Sequence, residues 1–190
     1  ISISEQAIGI SKKDDLKVKI GYFSGSITHN ENFNLIMPAI LQILKEFPQT
    51  ELHLVGHLTI PDEMKSYQKQ LVSHDFLDWT ALPALVAEMD INLAPLVDTV
   101  FNRAKSEIKW LEAALVGVPT IASDLGSFSE AIKQEQTGIL VADELWYEKL
   151  KDLVSDKTQL KDLGSQAKSQ VIMEYQTMHH KDELVEVIHG

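Results

Sequence analysis

Asn102-Arg103-Ala104-Lys105-Ser106-Glu107-Ile108-Lys109-Trp110-Leu111-Glu112 runs directly into Ala113-Ala114-Leu115-Val116-Gly117-Val118-Pro119-Thr120-Ile121-Ala122-Ser123. The run reads as a polar loop, a helix beginning near Ser106 and a short buried strand. Lys105 and Lys109, four apart in the opening turns, repel each other and oppose the positive end of the helix dipole. A phosphate seated there removes both penalties.

The spacing defines the ligand further. Steps of four and three put Lys105, Lys109 and Glu112 on one side, while Ile108, Leu111 and Leu115 predict an adjacent apolar side that anchors the helix. The amides of Glu107 and Ile108 at the helix start would point at an anion, and Lys105 would reach it as a point charge. The Glu112 carboxylate can accept two hydrogen bonds from a vicinal diol. Phosphate beside diol describes a nucleotide diphosphate sugar. The plain alternative is a solvated face on which Glu112 pairs with Lys109.

Around this run, short apolar strands alternate with amphipathic helices. Strands are predicted at 18–23, 52–56, 76–79, 91–96, 120–123 and 138–141. Helices are predicted from Phe33 to near Pro48, over 62–72, 82–89 and 127–133, and as three helices across 144–190. The alternation predicts an α/β fold: a Rossmann-like, doubly wound parallel sheet with helices on both faces. Ligands of such sheets bind beyond the carboxyl ends of the strands, so loops 24–32, 56–61, 98–106 and 124–127 should share one rim. Residues 1–15 read as an interdomain linker or surface helix, 16–175 as the nucleotide-binding domain and 176–190 as a C-terminal helix.

Composition narrows the partners. The 190 residues carry 17 Lys and Arg against 28 Asp and Glu, a net charge of −11, which argues against a nucleic-acid backbone as partner. There is no cysteine, so disulfides and thiolate metal sites are excluded. No apolar run approaches the ~20 residues of a membrane span. His53, His57, His74, His179 and His180 are scattered, and no metal is expected. Neither G-x-G-x-x-G, nor a phosphate loop, nor a G-x-S-x-G elbow occurs. After the first strand, Gly25 permits close approach of a ligand, and Ser26, Thr28 and His29 supply hydroxyls and an imidazole. Alternatively Asn30 or Asn32 caps the following helix there and His29 is solvated. Asp90, Asp98 and Asp124 read as caps or turn residues. Trp79 is placed either on a nucleotide base or in the core.

The chain resembles the donor-nucleotide domain of GT-B glycosyltransferases of the retaining type called glycosyl transferases group 1. The resemblance covers about residues 16–175 and rests on segments in the expected order. These are Gly21-Tyr22-Phe23-Ser24-Gly25-Ser26 with Thr28-His29-Asn30, Leu52-His53-Leu54-Val55-Gly56, Met89-Asp90-Ile91-Asn92-Leu93-Ala94-Pro95-Leu96, the opening run itself, and Glu130 with Thr137-Gly138-Ile139-Leu140-Val141.

The resemblance implies ribose binding by Glu112, the second of two glutamates eight apart. Position 104, where the first would stand, is Ala104. The chain instead looks like a branch with Asn-x-x-Lys-Ser-x-x-Lys-x-x-Glu, in which Asn102, Lys105 and Ser106 face the diphosphate and sugar. Asn102 and Lys105 are the catalytic candidates. Gly25, Ser26, Thr28, His29, Lys105, Ser106, Glu107, Ile108 and Glu112 are the donor-binding candidates. The arginine and lysine that many members carry after the first strand are replaced by Ser26, Thr28 and His29.

The implied activity is transfer of a hexose, with retention, from a nucleotide diphosphate sugar to a glycan or lipid-linked acceptor in bacterial surface polysaccharide synthesis. No cofactor beyond the donor substrate is implied. The implied setting is cytoplasmic, with the parent enzyme peripheral to the inner face of the membrane. The N-terminal acceptor domain of the same chain is expected to be missing, and a piece lacking it is expected to bind donor weakly and transfer nothing. Two other readings are a non-catalytic GT-B-like module that assembles with another transferase, and a UDP-sugar epimerase of related fold.

Overall fold

The computed structural model describes residues 17–25 and 29–175. The expected linker at 1–15, the C-terminal helix at 176–190, and Ser26, Thr28, His179 and His180 lie outside these residues. Six strands, β1 (Val18–Ser24), β2 (Thr50–Gly56), β3 (Leu71–His74), β4 (Ile91–Ala94), β5 (Thr120–Ser123) and β6 (Ile139–Val141), form one sheet in the order β3-β2-β1-β4-β5-β6. Every pairing is parallel. The sheet reverses direction of growth between β1 and β4, and the crevice beyond that switch point is where such sheets take ligands.

Helices cover both faces. On one, α1 (His29–Glu46) buries Phe33, Ile36, Ile40 and Ile43 against Ile20, Leu52 and Leu93. Their helical spacing makes the apolar stripe that the sequence predicted. Leu150 and Leu153 of α6 (Trp146–Ser155) close the same cluster. On the other face, α4 (Ile108–Leu115) and α7 (Lys157–Glu174) pack Trp110 and Ala114 against Ala122, Ala167 and Val171. The short helices α2 (Leu82–Ala87), α3 (Val100–Arg103) and α5 (Ser127–Ala131) lie between strands and close the connections.

Two expectations fail between β2 and β4. The predicted helix over 62–72 is a 3₁₀ stretch, Asp62–Gln70, broken at Tyr67. The strand follows at once as β3, whose Leu71 pairs with Leu52, rather than at 76–79. A polar 3₁₀ run carries no 3.6-residue periodicity, and the strand that follows, Leu71-Val72-Ser73-His74, has a single β-branched residue, so the boundary is hidden. Phe76 and Trp79 consequently sit in a loop, exposed at 62% and 68%. The core placement of Trp79 is overturned.

Candidate donor site at the switch point

Four cross-loop hydrogen bonds join the loops that the sequence placed on one rim. Ser24 Oγ donates to the His57 carbonyl at 2.8 Å, and the Thr59 amide donates to Asn30 Oδ1 at 3.3 Å. Asn102 Nδ2 donates to Asn32 Oδ1 at 3.0 Å, and Ser127 Oγ donates to the Lys105 carbonyl at 2.6 Å. The rim is therefore a connected series of loops beyond the ends of β1 and β4. Gly126 keeps it tight: a Cβ there would meet the Arg103 carbonyl oxygen at 2.7 Å, and its φ is +57°.

Asn32 is central to this series. Its side-chain oxygen accepts from the Val97 amide at 2.9 Å as well as from Asn102, and both asparagines are buried. Neither Asn30 nor Asn32 caps α1, because the helix already includes both residues and their oxygens face other loops. The reading of Asn102 changes too. Its amide nitrogen is shared between Asn32 and the Val97 carbonyl at 2.8 Å, so its donors hold the loop rather than a ligand. An asparagine at a strand end signals a loop contact in sequence, but the 70-residue separation between these two hides the pair.

The cradle helix starts later than its spacing suggested. Glu107 is the N-cap and Ile108 the first helical residue, so Lys105 and Ser106 belong to the loop. The buried side is Trp110, Ala113 and Ala114, while Ile108 is half exposed and Leu111 and Leu115 are only partly buried. Trp110 outweighs them in area, and its indole donates to the Thr137 carbonyl at 2.8 Å. With the helix turned this way, the amides of Glu107 and Ile108 open the first turn at the rim, where the backbone offers donors with no intrahelical acceptor.

Beside those amides stands Lys105. Its Nζ is shielded from solvent, has no hydrogen-bond acceptor among the described residues, and lies 5.0 Å from the centre of the exposed Phe101 ring. Burial pulls its pKa below the ordinary lysine value. An ammonium in this state is costly unless an anion joins it. One turn into α4, Glu112 lines a cleft of about 300 Å³ between α2 and α4, with Trp79, Leu82, Pro83 and Val86 opposite and Leu115 and Val116 beside it. Among the described residues Glu112 has no ion pair, which removes the solvated Glu112–Lys109 pair of the plain alternative. Its partial burial raises the carboxyl pKa, opposed by the charge of Lys109.

The remaining candidates have structural partners. Asp90 accepts from the Lys19 amide, Asp98 holds Arg103 through two bonds of 2.6 Å, and Asp124 accepts from Ser129. His53 and His74 are not scattered: they stack, with Nδ1 and Nε2 at 3.0 Å. No group of three or more His, Asp or Glu among the described residues is set to hold a metal ion. Gly25 lies exposed at the end of β1.

A parallel sheet in this order, with a shielded lysine in the loop after β4 and a cleft between α2 and α4 that holds Glu112, defines a Rossmann-like α/β domain. Residues 18–156 match the family model "Glycosyl transferases group 1", and the chain belongs to that family. It is 26% identical over 150 residues to the lipopolysaccharide core biosynthesis mannosyltransferase LpsB of Rhizobium meliloti, covering 73% of this chain and 40% of that protein. The structure superposes on Anabaena HepE in complex with UDP-glucose with a TM-score of 0.73 at 15% identity, over 91% of this chain and 49% of HepE. It also superposes on the C-terminal domain of the group 1 protein LpcC from Francisella tularensis, with a TM-score of 0.68 at 19% identity, over 93% of this chain and 98% of that domain. The chain thus spans well under two thirds of LpsB and of HepE, and the fold is that of GT-B glycosyltransferases. Among the described residues no helix is long and apolar enough to cross a membrane.

Proposed function

We propose that this chain is the donor-binding half of a retaining glycosyltransferase that transfers a hexose from a nucleotide diphosphate sugar to a glycan or lipid-linked acceptor in bacterial surface polysaccharide synthesis. The observation that carries the reading is the shielded Lys105 ammonium with no acceptor, set at the switch point beside the first turn of α4. A diphosphate satisfies it. Lys105 and the amides of Ser106, Glu107 and Ile108 hold the phosphates, and Glu112 accepts from the ribose hydroxyls. Trp79 offers an exposed ring to the base across the cleft. Gly25, Ser26, Thr28 and His29 complete the proposed set of donor-binding residues. Asn102 acts through the loop it fixes and is a positioning residue.

In this reading the chemistry of the chain is placement and charge. Holding the donor fixed turns an encounter between two molecules into a reaction within one complex. As the glycosidic bond breaks, negative charge grows on the departing diphosphate, and Lys105 with the helix amides stabilises it without reorganising. The similarity to LpsB, a lipopolysaccharide core mannosyltransferase, and to HepE, which binds UDP-glucose, supports a sugar nucleotide as donor.

The test is titration of the chain with UDP and GDP, followed by backbone amide shifts. Shifts centred on residues 105–108 and 112, with affinity reduced at least about tenfold in Lys105→Ala, are expected. Silence at millimolar concentrations of both nucleotides overturns the reading. Ala104, in place of the family's first glutamate, favours a second reading as a non-catalytic module. Turnover that survives in a protein with its acceptor domain and is abolished by Glu112→Gln, with the fold intact, excludes it.

A further inference from the structure

His53 and His74 take no part in the proposed donor site, yet they fasten the outermost strand to the sheet. β3 pairs with β2 alone, from Leu52↔Leu71 to Val55↔His74, and forms the sheet's edge. Leu52 and Leu54 of β2 join the cluster under α1, which turns Glu51 and His53 to the opposite face. There His53 Nδ1 meets His74 Nε2 at 3.0 Å, with 18° between the ring planes. This bond ties the end of β3 to β2 just before the chain enters loop 75–81.

That loop walls the cleft. Phe76 stacks on His57, which follows β2, with ring centres 5.7 Å apart, and Asp78 accepts from both the amide and the hydroxyl of Thr80. Trp79 stands within that turn and lines the cleft. The anchors of the loop at its β3 end are therefore the histidine pair and the Phe76 stack.

The hydrogen count makes the pair sensitive to acid. Two ring nitrogens at this distance hold one proton between them, since one imidazole donates and the other accepts. When each ring carries two protons, N–H faces N–H and the bond is lost. His53 has little room to turn away: it is 5% exposed, and its Nε2 is shielded with no hydrogen-bond partner among the described residues.

The charges that act on His53 come from three strands. β2 brings Glu51, whose Oε2 lies 3.6 Å from His53 Nε2 and whose carboxylate Lys17 keeps ionised; β1 brings Lys19, and β3 brings His74. Asp75 and Asp78 follow in the loop, and Leu82–Ala87 of α2 has no titratable side chain. The 3₁₀ run with Asp62, Glu63, Lys65 and Lys69 packs Met64 and Tyr67 into the cluster under α1, on the other face. Burial, then repulsion from His74, holds the His53 imidazole below the ordinary histidine value, with Glu51 opposing. Its contribution to stability is therefore present above about pH 6.5 and is lost as pH falls below that value.

We propose that the His53–His74 pair is an acid-operated latch: it holds the end of β3 and the Trp79 loop in place while one proton lies between the rings, and releases them when both rings are fully protonated. The latch belongs to the unliganded chain. Only its consequence, weaker nucleotide binding in acid, rests on the donor-site reading above.

Nitrogen NMR of the imidazoles and backbone amides, from pH 7.5 to 4.5 without ligand, tests the latch. At pH 7.5 a single proton between the rings, with scalar coupling across the N–H···N bond, is expected. On acidification the coupling should vanish, and the amides of 71–81 and the Trp79 indole should shift with the same midpoint. His74→Gln, whose amide can still bond His53 but takes no proton, should leave the loop unmoved; His53→Gln serves if that variant fails to fold. A bridging proton that survives to pH 4.5, loop amides that stay fixed while it is lost, or the same loop transition in the glutamine variant overturns the latch. UDP-glucose, whose diphosphate does not titrate in this range, should bind about threefold or more weakly at pH 5.5 than at 7.5 in the unaltered chain and equally at both in His74→Gln. Absence of UDP-glucose binding at either pH, at millimolar concentration, counts against the donor site and leaves the latch to stand or fall on the imidazole and amide signals.

Discussion

Lys105 and Glu112 are each held in a state that the unliganded fold disfavours. A charged group shielded without a partner costs about 1–3 kcal/mol, so Lys105→Met should raise the unfolding midpoint while it weakens nucleotide binding. Denaturant unfolding read beside a UDP titration checks both directions, and a variant that loses stability along with binding contradicts the account. Glu112 is the acidic counterpart. Burial raises its folded pKa, so its proton is held more tightly in the folded chain than in the unfolded one. Its contribution therefore favours the fold at acid pH and is lost as pH rises through the folded value. Glu112→Gln should remove that slope and raise the melting temperature at pH 7, while ribose binding falls by about tenfold or more. Sequence singled out both residues because motif and spacing are local. It misjudged Asn102, whose partner lies 70 residues away, and it read the apolar side of α4 from aliphatic residues when Trp110 decides the orientation.

At the scale of elements, the rim depends on Asn32 at the start of α1. Removing its side-chain oxygen leaves the part-buried Val97 amide without its acceptor and takes one of two acceptors from the Asn102 amide group. Asn32→Ala should then cost about 1–3 kcal/mol, and Asn102→Ala on top of it should add less than it costs alone. A double-mutant cycle by urea unfolding measures that coupling. A second contact fixes α4 from behind. Gly164 of α7 lies so close to the Gly117 carbonyl oxygen that a Cβ would come to 2.2 Å. Gly164→Ala should destabilise by about 2 kcal/mol or more, since backbone rather than a mobile side chain must give way. Both contacts escape sequence reading, for a close approach leaves only a glycine, and glycine marks many things.

For the whole molecule, the parallel sheet, the doubly wound layers and the shared rim were readable, because alternating apolar strands and helical stripes leave few topologies open. The stretch between β2 and β4 was not, since the 3₁₀ run has no period to read. That misreading concealed a useful probe. Trp110 and Trp146 are fully buried, whereas Trp79 is exposed beside the cleft. Emission from Trp79 should therefore change on nucleotide binding while the other two stay constant, and Trp79→Phe should abolish the signal. A response that persists in that variant would locate the base elsewhere.

Trp110 bears on adaptability. Its indole is tied to the Thr137 carbonyl and meets Tyr175 edge-on, with ring centres 5.8 Å apart. Rotation of α4 about its own axis would break that bond and expel one of the two buried tryptophans, Trp110. The helix thus serves as a fixed anvil. On the proposed donor reading, evolution toward a different sugar or base proceeds by editing the loops that surround it, and swapping those loops between relatives is the direct route to re-engineered donor preference.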